Sequence, residues 1–549
     1  MAENVRACLC TSLEKIFPTD EVHDTGTLRF SMLQNEKKSF QLAVRAEKGA
    51  EIAWEMQSPL SPYCRAFFVR MIPAGLNAPK KSDDFYISKN KTEYPDLLVP
   101  LSENRCTAEY DGRNVIWFEI GGEQLTAGKH AFEISVHVGE SEPTVCRAEI
   151  EVLPFDLPQQ TLIYTNWFHT DCLMRHYGFE AFSDEYWRVT ENFLRTAREY
   201  GMNCVLTPLF TPPLDTKVGG ERPTVQLVDV TVTGKDAYAF GFDKFKTWVE
   251  MCRRCGIEYF EMSHFFTQWG AKHAPKILAK KDGATVQIFG WKTRAAGKAY
   301  RRFLEQFARA LTAVIDELGI RRQCIFHVSD EPNVGQIRTY KKAARIVHEN
   351  FGDFKIIDAL SDYKLYAKGL IQTPVPANDH IKKFIGNVPE LWTYYCCVQA
   401  DDYVSNRFFS MPSLRNRVLG LQMYKYDVKG FLHWGYNFYF SRFSIRQIDP
   451  FQVTDAGNAF SSGDSFVVYP GKDSSPLLSL RLPVFYDGLQ DMRALQLLES
   501  LAGREKTMQI LEEGLKEPLT FNRYRHENAW LLDLRERVNR AIMQYAAEK

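Results

Sequence analysis

Two adjacent carboxylates, Asp330 and Glu331, follow the apolar stretch Cys324-Ile-Phe-His-Val and precede Pro332. The stretch predicts a β-strand, so the pair is expected at the point where that strand ends. One interpretation is structural, with the aspartate capping the next helix and the glutamate in its first turn. A turn alone rarely needs two acids that repel each other, whereas paired carboxyls supply a proton donor beside a charged acceptor. The pair is therefore the first candidate for acid–base chemistry.

Cleavage of a glycosidic bond needs such a proton donor, and most retaining enzymes add a second carboxylate from another strand as nucleophile. The predicted seventh strand, Glu390-Leu-Trp-Thr-Tyr-Tyr-Cys-Cys, has no acid at its end, and Asp401 and Asp402 follow several residues later. An adjacent pair without a separate nucleophile favours substrate-assisted hydrolysis of 2-acetamido sugars. In that mechanism the acetamido oxygen attacks, one acid holds the acetamido nitrogen, and the other serves as acid and then as base.

Two other functions stay open at this point. An ordinary two-carboxylate retaining glycosidase would use Glu331 as acid/base and would need a nucleophile within about 5.5 Å of it from another strand. A non-catalytic carbohydrate-binding protein on the same scaffold would keep both acids without using them. Turnover of aryl 2-acetamido glycosides, compared with their 2-hydroxy counterparts, separates these functions.

Aromatic and polar residues stand at the ends of several other predicted strands. Apolar faces of sugars pack on aromatic rings, while amide, imidazole and hydroxyl groups bind hydroxyls and the acetamide. For each residue alone, core packing or capping explains its position equally well, but their convergence predicts a carbohydrate pocket. His327, inside the fourth strand, is instead expected to be a core histidine. The predicted substrate-binding residues are Asn166, Trp167, His264, Trp392, Tyr394, Tyr395, Trp434 and Asn437.

The elements that must position these residues alternate between strands and helices after Pro158, which predicts a parallel sheet. Eight strands with interleaved helices predict a (β/α)8 barrel of the TIM type, whose sites lie at the C-terminal ends of the strands. The 215–240 stretch is expected to form a β-hairpin near the barrel mouth, and 437–478 a long excursion after the eighth strand. The predicted strands are 162–166, 204–207, 258–262, 324–328, 355–359, 370–373, 391–395 and 430–434. The predicted helices are 185–200, 242–255, 297–318, 336–351, 412–426, 479–501, 503–516 and 527–548.

Short β-rich runs separated by Gly, Pro, Asn and Asp fill the first 158 residues. Phe40-Gln-Leu-Ala-Val-Arg and Val115-Ile-Trp-Phe-Glu-Ile are examples, and Pro154 and Pro158 suit a linker. This pattern predicts a β-sandwich. The expected organisation is multi-domain α/β, with a β-sandwich over residues 1–158 and a barrel with extra C-terminal helices over residues 159–549.

Composition limits the partners. Lys plus Arg and Asp plus Glu number 68 each, so no basic field favours nucleic acid. No apolar run has the length of a membrane span, and the first residues lack the segments of a signal peptide.

The 12 cysteines are scattered, and Cys252 and Cys255 have no second pair at metal-ligand spacing. We expect a cytoplasmic protein with reduced thiols and no metal, although a secreted chain already trimmed of its leader would have the same sequence. A homo-oligomer stays open.

The sequence resembles glycoside hydrolase family 123 and its relatives of unknown function over most of the chain. The resemblance implies a β-sandwich, a catalytic barrel and β-N-acetylgalactosaminidase activity by substrate-assisted catalysis, without a metal or an organic cofactor. It implies that Asp330 stabilises the acetamido group and that Glu331 is the acid/base. Gln490 departs from the pattern, since relatives often carry an acid there. The matching segments are Tyr94-Pro-Asp-Leu-Leu-Val-Pro-Leu, Ser329-Asp330-Glu331-Pro332, Gly430-Phe-Leu-His-Trp-Gly-Tyr-Asn, Phe466-Val-Val-Tyr-Pro-Gly, Ser479-Leu-Arg, Tyr486-Asp-Gly and Asp491.

Overall fold

The computed structural model describes residues 6–21, 26–122, 124–332 and 334–548, and the N-terminal part of the chain is built from strands. These strands are β1 (Ala7–Thr11), β2 (Leu28–Leu33), β3 (Lys37–Ala46), β4 (Glu51–Gln57), β5 (Cys64–Pro73), β6 (Glu93–Leu101), β7 (Arg105–Thr107), β8 (Gly112–Gly121), β9 (Gly128–Val138) and β10 (Thr144–Leu153). In β10, Cys146, Ala148 and Ile150 are buried while Arg147 and Glu149 are exposed. This period of two is the pattern of a strand with one face on a core.

Strands and helices alternate through most of the remaining chain. The strands are β11 (Ile163–Asn166), β12 (Cys204–Thr207), β13 (Asp229–Gly234), β14 (Ala237–Gly241), β15 (Tyr259–Met262), β16 (Ile277–Lys281), β17 (Ala284–Phe289), β18 (Cys324–Phe326), β19 (Lys355–Ala359), β20 (Thr373–Val375), β21 (Trp392–Tyr394), β22 (Gly430–His433), β23 (Val468–Pro470) and β24 (Pro476–Ser479).

Eleven α-helices occur in the described ranges, together with short 3-10 turns at Ser61–Tyr63, Arg321–Gln323, Val334–Gln336, Ile381–Lys383 and Arg442–Ser444. The α-helices are α1 (Thr170–Tyr177), α2 (Asp184–Glu199), α3 (Asp243–Arg254), α4 (Lys298–Glu317), α5 (Ile337–Phe351), α6 (Tyr363–Ala367), α7 (Ser413–Arg417), α8 (Leu419–Lys425), α9 (Arg481–Ala502), α10 (Arg504–Glu512) and α11 (Asn528–Ala547). Two consecutive helices, α7 and α8, thus replace the single helix predicted over 412–426. None of the described helices combines the length and the apolar character needed to cross a membrane.

Eight parallel strands form a nearly closed barrel, in the order β20-β19-β18-β15-β12-β11-β22-β21. The first and last strands in this order, β20 and β21, lie beside each other. The Asn378 N–H, in the loop after β20, donates to the Tyr394 carbonyl of β21 at 2.9 Å. The predicted parallel eight-stranded sheet is confirmed, although the sixth strand begins at Thr373 rather than at residue 370. Inward side chains such as Ile325 and Ile357 fill the interior, so the barrel is a packed core with its loops gathered at the C-terminal end.

Two sheets make up the N-terminal part. One has seven strands in the order β1-β3-β8-β5-β6-β24-β23, and the other has five in the order β2-β10-β9-β4-β7. Phe40 and Ile116 from the first sheet share a buried cluster with Trp54 and Ile134 from the second. The sheet-rich character of this region is confirmed, while the β-sandwich remains an interpretation of how the two sheets pack.

The seven-stranded sheet takes two of its strands from the C-terminal part of the chain. Strand β24 pairs antiparallel with β6, with Leu478 opposite Leu98. Beside this pairing, the Arg481 guanidinium donates to both carboxylate oxygens of Asp96 at 2.7 and 3.0 Å, and both side chains are buried. The sheet therefore crosses residue 158, where the sequence predicts a domain boundary.

A buried cluster of charges joins the same two parts of the molecule. Arg535 donates to Glu36 at 2.7 Å and to Asp491 at 3.0 Å, and Arg417 donates to the other Asp491 oxygen at 2.7 Å. All four side chains are buried, so each charge depends on its partners. The turn between β2 and β3 is thereby fixed to α7, α9 and α11.

The stretch after the second barrel strand contains the predicted hairpin, formed by β13 and β14. It joins a second hairpin, β16–β17, in a four-stranded sheet. Tyr238 and Phe240 pack their rings 5.1 and 5.6 Å from Phe303 of α4. The hairpin therefore rests on the outer helix rather than over the barrel mouth.

Candidate active site

A pocket of about 280 Å³ opens at the C-terminal end of the barrel, where the loops after the strands meet. This is the end at which barrels of this type carry their sites. Three acids line it, namely Asp215, Asp330 and Glu331. Six aromatic rings complete much of the wall, namely Trp167, Trp269, Tyr394, Trp434, Phe438 and Phe460.

The loop after β18 brings two of these carboxyls into the pocket. The N–H groups of Val328 and Ser329 donate to Asp358 Oδ1 at 3.0 and 3.3 Å, and Ser329 Oγ donates to the Thr267 carbonyl at 2.9 Å. Glu331 has a φ of 44°, in the left-handed region that costs a non-glycine residue on the order of 1–3 kcal/mol. The hydrogen bonds just before it hold the loop in this conformation, and two consecutive side chains thereby reach one pocket.

The two carboxyls share a poorly solvated environment. Asp330 is 6% exposed, and burial is the largest cause that raises the pKa of both acids, with the Glu331 charge adding to the rise at Asp330. Tyr394 opposes this at Glu331, because its hydroxyl donates to Oε1 at 2.8 Å and lowers the pKa. Adjacent buried carboxyls do not readily ionise together, so the pair shares a proton near neutral pH. One charged and one protonated carboxyl is the arrangement that acid–base catalysis uses.

Gln268 connects Asp330 to the third acid of the pocket. Its Nε2 donates to Asp330 Oδ2 at 2.6 Å, and its Oε1 accepts a hydrogen bond from the Asp215 N–H. The second bond determines the amide orientation, because only the amide oxygen can accept from a backbone N–H. The donor therefore faces Asp330, where it lowers the pKa that burial raises.

Buried carboxylates hold two tryptophans that wall the pocket. Trp434 donates its indole N–H to Asp464 Oδ2 at 3.0 Å, and Trp167 donates to Glu261 Oε1 at 2.7 Å. Because each ring is fixed by a hydrogen bond at its polar edge, the part of the ring that lines the pocket is a rigid apolar surface. Such surfaces suit the apolar face of a sugar ring.

His327 lies between two carboxylates beneath the pocket. Its Nε2 is 2.6 Å from Glu261 Oε1, and its Nδ1 is 3.5 Å from Asp358 Oδ1. Burial alone would lower its pKa, but Asp358 and Glu261 together raise the pKa to about 9. The resulting imidazolium offsets two buried negative charges and lowers the pKa of Asp330 above it. His327 is therefore a core residue that acts on the site only through its charge.

The structure brings together five of the residues predicted for the site. Asp330, Glu331, Trp167, Tyr394 and Trp434 all line the one pocket. Each follows or ends a barrel strand, so the parallel register aligns their side chains at one end of the barrel.

Trp392 and Tyr395 do not line the pocket, contrary to the prediction. Trp392 shares the barrel interior with Tyr394 but lies nearer the N-terminal ends of the strands, opposite Gly430. A Cβ at Gly430 would lie 2.1 Å from the indole, so the glycine makes room for this ring within the core. Tyr395 lies on the outer face of the sheet, 5.1 Å from the Phe431 ring, because successive residues of a strand point to opposite faces.

Asn166, His264 and Asn437 also lie outside the lining, where the sequence predicted substrate contacts. Asn166 is fully buried and donates to the Tyr164 hydroxyl at 3.3 Å, on the outer side of β11. His264 is buried, with its ring stacked on the core histidine described above at 4.3 Å. Asn437 binds the backbone of His169, accepting from its N–H at 2.8 Å and donating to its carbonyl at 3.1 Å. Asn437 therefore positions a lining residue without reaching the pocket.

Several lining residues escaped the sequence reasoning, among them Asp215, Gln268 and Arg442. Asp215 is the most consequential, because it is a third acid in the pocket. Its carboxylate accepts the Phe443 N–H at 2.9 Å, and burial raises its pKa to about 6. Asp215, Gln268 and Arg442 lie on long loops without a periodic pattern, so nothing in the sequence indicated which of their side chains face inward.

The cysteines offer no metal centre. Cys252 and Cys255 lie at the end of α3 in the hydrophobic core, where burial raises the pKa of both thiols. Throughout the described ranges, no three His, Cys, Asp or Glu side chains are grouped in a way that would hold a metal ion. Cys396 and Cys397 line the candidate pocket together with Tyr394.

Comparison with solved structures supports this fold. A family 123 glycoside hydrolase from Clostridium perfringens, described for glycolipid glycan hydrolysis, matches with a TM-score of 0.74 at 13% identity, over 98% of each chain. A family 5 xyloglucanase from Bacteroides ovatus reaches a TM-score of 0.31 at 10% identity, over 84% of this chain and 98% of that one. A putative glycoside hydrolase from Bacteroides vulgatus also reaches 0.31, at 11% identity, over 87% and 79%. Scores of 0.31 do not establish a common fold.

Comparison at the level of sequence assigns the family. No curated protein sequence gives a significant match. The family model described as "Glycoside hydrolase 123, catalytic domain" matches residues 167–498, which is more than half of the chain and includes all three acids of the pocket. The chain belongs to glycoside hydrolase family 123.

Proposed function

We propose that this glycoside hydrolase is a retaining enzyme that removes terminal β-linked 2-acetamido sugars, with the sugar's own acetamido group as nucleophile. One observation carries the proposal: consecutive carboxyls, Asp330 and Glu331, line one small pocket, and each accepts a hydrogen bond from a different neighbour. Gln268 holds the first and Tyr394 the second, so the two acids are poised for different roles.

In the proposed reaction, the acetamido carbonyl oxygen attacks the anomeric carbon while the bond from that carbon to the leaving oxygen breaks. Glu331 gives its proton to the leaving oxygen, and Asp330, ionised, accepts the acetamido N–H and stabilises the oxazolinium ring. Water then attacks the anomeric carbon and passes a proton to Glu331, which restores both the acid and the acetamido group. Two inversions at the anomeric carbon give net retention.

Burial and the Glu331 charge raise the pKa of Asp330 to about 8, so this division of roles needs the substrate to shift the shared proton toward Glu331. A proton shared between two buried acids suits a reaction in which one acid must be charged and its neighbour protonated. The donor from Gln268 and the imidazolium beneath both lower the pKa of Asp330. Binding of a substrate N–H to Asp330 would favour its ionised form further, leaving the proton on Glu331.

The lining favours a single sugar ring. A pocket of about 280 Å³ lies at the lower limit of the usual range for small-molecule sites, and Trp167 and Trp434 give it apolar walls. N-acetylgalactosamine is the proposed sugar because the sequence resembles β-N-acetylgalactosaminidases. We further propose that the barrel is a (β/α)8 catalytic domain from residue 159 onward and that residues 1–158 form a β-sandwich, whose larger sheet is completed by β23 and β24 from the C-terminal part.

Asp215 gives the ordinary two-carboxylate mechanism a specific candidate. It lines the same pocket as Glu331 and comes from the loop after a different strand, as a separate nucleophile would. In that mechanism Asp215 would attack the anomeric carbon itself, and the 2-acetamido group would have no chemical role.

The experiment that tests the proposal compares matched aryl glycosides. We expect turnover of aryl β-2-acetamido galactosides, product release with retained anomeric configuration by NMR, and competitive inhibition by a thiazoline mimic of the oxazolinium ring. The gluco epimer, assayed in parallel, measures the preference at the sugar. Equal turnover of the 2-hydroxy galactoside, with the thiazoline inert, would instead support the mechanism through Asp215.

A further inference from the structure

A second cavity of about 740 Å³ adjoins the candidate pocket and is here called the lateral cavity. It shares Glu331, Tyr394, Cys396 and Val398 with that pocket. The loops that follow β19 and β20 form its other walls, through Ser361, Tyr363, Lys364, Asp379, Lys382 and Lys383. The two cavities therefore meet at the pair formed by Glu331 and Tyr394.

The proposed function decides which part of a substrate enters the lateral cavity. Asp330 lines only the smaller pocket, whereas Glu331 lines both cavities. A sugar whose acetamido nitrogen meets Asp330 must occupy the smaller pocket, and the oxygen that Glu331 protonates joins that sugar to the rest of the substrate. The lateral cavity therefore lies on the leaving-group side.

Three ammonium groups line this cavity without a charged partner of their own. Lys364, Lys382 and Lys383 are exposed, and none of them has a carboxylate oxygen within 4.0 Å among the described residues. Some lysines elsewhere do form such pairs, as Lys355 does with Glu390 at 2.6 Å. The three amines are thus available to an anionic ligand.

Besides Glu331, two acids line the lateral cavity, and both are already engaged by its walls. Asp379 accepts hydrogen bonds from His380 Nδ1 at 2.6 Å and from Gln399 Nε2 at 3.1 Å. Asp362 caps α6 by accepting the backbone N–H of Lys364 at 3.0 Å. Both carboxylates still reduce the local positive potential, so the three lysines together should give a moderate preference rather than a tight anion site.

We propose that the lateral cavity binds the leaving group as an acidic saccharide, a sugar that carries a carboxylate or a sulfate. Its size exceeds that of the first pocket and accommodates a sugar unit beyond the scissile bond. The ring of Tyr363 offers a surface on which such a sugar can stack. The lysines then select the acidic substituent.

The test uses three β-linked disaccharides of N-acetylgalactosamine that differ only in the reducing-end sugar, which is galactose, glucuronic acid or galactose 6-sulfate. We expect kcat/KM to be on the order of 10-fold higher for an acidic substrate than for the neutral one at low ionic strength. Added salt should reduce this ratio, because exposed charges are screened. The carboxylate and sulfate arms identify which acid the cavity prefers.

Substitution of the three lysines tests whether the preference for acidic substrates arises in the lateral cavity. K364Q/K382Q/K383Q should bring the ratio of acidic to neutral substrate close to one, and the corresponding glutamate variant should invert it. K341Q/K342Q, which changes two exposed lysines of α5 away from both cavities, is the matched control and should keep the wild-type ratio. A neutral substrate cleaved as well as both acidic ones, or a ratio that survives the triple substitution, would overturn the proposal.

A binding measurement separates this inference from the proposed function on which it rests. Calorimetric titration of glucuronic acid, galactose 6-sulfate and galactose needs no turnover. Binding of an acidic sugar that disappears in the triple lysine variant would support the cavity even if no 2-acetamido glycoside were cleaved, and only the proposed reaction would then fail. Equal binding of all three sugars would contradict the charge selection whatever the enzyme hydrolyses.

Discussion

Replacement of Gln268 by methionine should move the acidic limb of the pH–rate profile to higher pH. The substitution keeps the length of the side chain but removes the Nε2 donor that lies 2.6 Å from Asp330 Oδ2. That donor lowers the pKa of Asp330, so its loss raises the pKa and reduces the ionised fraction at any pH on the acidic side. Since the proposed reaction needs Asp330 ionised, the activity lost is that at low pH.

The size of the shift follows from the strength of the bond. A hydrogen bond to a charged group contributes about 1.5–3 kcal/mol, and one pKa unit corresponds to about 1.4 kcal/mol, so the limb should move by about one to two pH units. At pH values on that limb kcat/KM should fall by about 10–150-fold. At pH values above the limb the decrease in kcat/KM should be much smaller.

The assay is kcat/KM for an aryl 2-acetamido galactoside across the pH range, with Gln268→Glu as the matched variant. Glutamate keeps an oxygen that accepts the Asp215 N–H but replaces the donor toward Asp330 by a second negative charge. It should therefore shift the limb at least as far as methionine does. A loss in the methionine variant that is equal at every pH, with an unmoved limb, would mean that Gln268 only supports the fold of its loop.

Four further predictions follow from the same contacts. Glu331→Gln should lose about 10²–10⁴-fold in turnover of alkyl glycosides but far less on a dinitrophenyl glycoside, and equal losses would contradict its role as acid. Asp330→Asn should weaken thiazoline inhibition by about 10–150-fold, as inhibition constants would reveal. Asp215→Asn should keep most of its turnover of 2-acetamido substrates; complete loss, with azide restoring activity and giving the α-azide, would make Asp215 the nucleophile. Arg481→Met should lower the free energy of unfolding by about 3–5 kcal/mol in urea titrations, because it leaves Asp96 buried without its partner, and adding Asp96→Leu should recover part of the loss.

The register of the barrel could be predicted from the sequence because each strand has its own local pattern of apolar residues. Apolar runs of four to five residues marked the barrel strands, and the parallel order put Asp330, Glu331 and Trp434 at one end. The same reasoning did not predict which side chains at the end of one strand face the pocket. Trp392, Tyr394 and Tyr395 were all assigned to the pocket, although alternation allows only one face to point inward and depth within the barrel removes Trp392 from the mouth.

The rest of the site depends on contacts between distant segments, which no local pattern encodes. Asp215 and Gln268 are separated by 53 residues and are joined by a hydrogen bond from backbone to side chain. Asn437 looked like a sugar ligand, but it is used to bind the His169 backbone. Whether a polar residue near the barrel mouth lines the pocket or supports a lining residue therefore depends on three-dimensional packing.

Two strands of the seven-stranded N-terminal sheet, β23 and β24, come from the C-terminal part of the chain. This arrangement affects how the protein folds. Strand β6 pairs with β5 on one side, but its other edge is unpaired until the chain has been made as far as β24, so the sheet is completed late in synthesis. A fragment ending near residue 158 would expose an unpaired strand edge and leave Glu36 and Asp96 without their arginines. The barrel alone would retain those arginines without their acids. Neither half is therefore self-sufficient, and the molecule should melt as one cooperative unit despite its size.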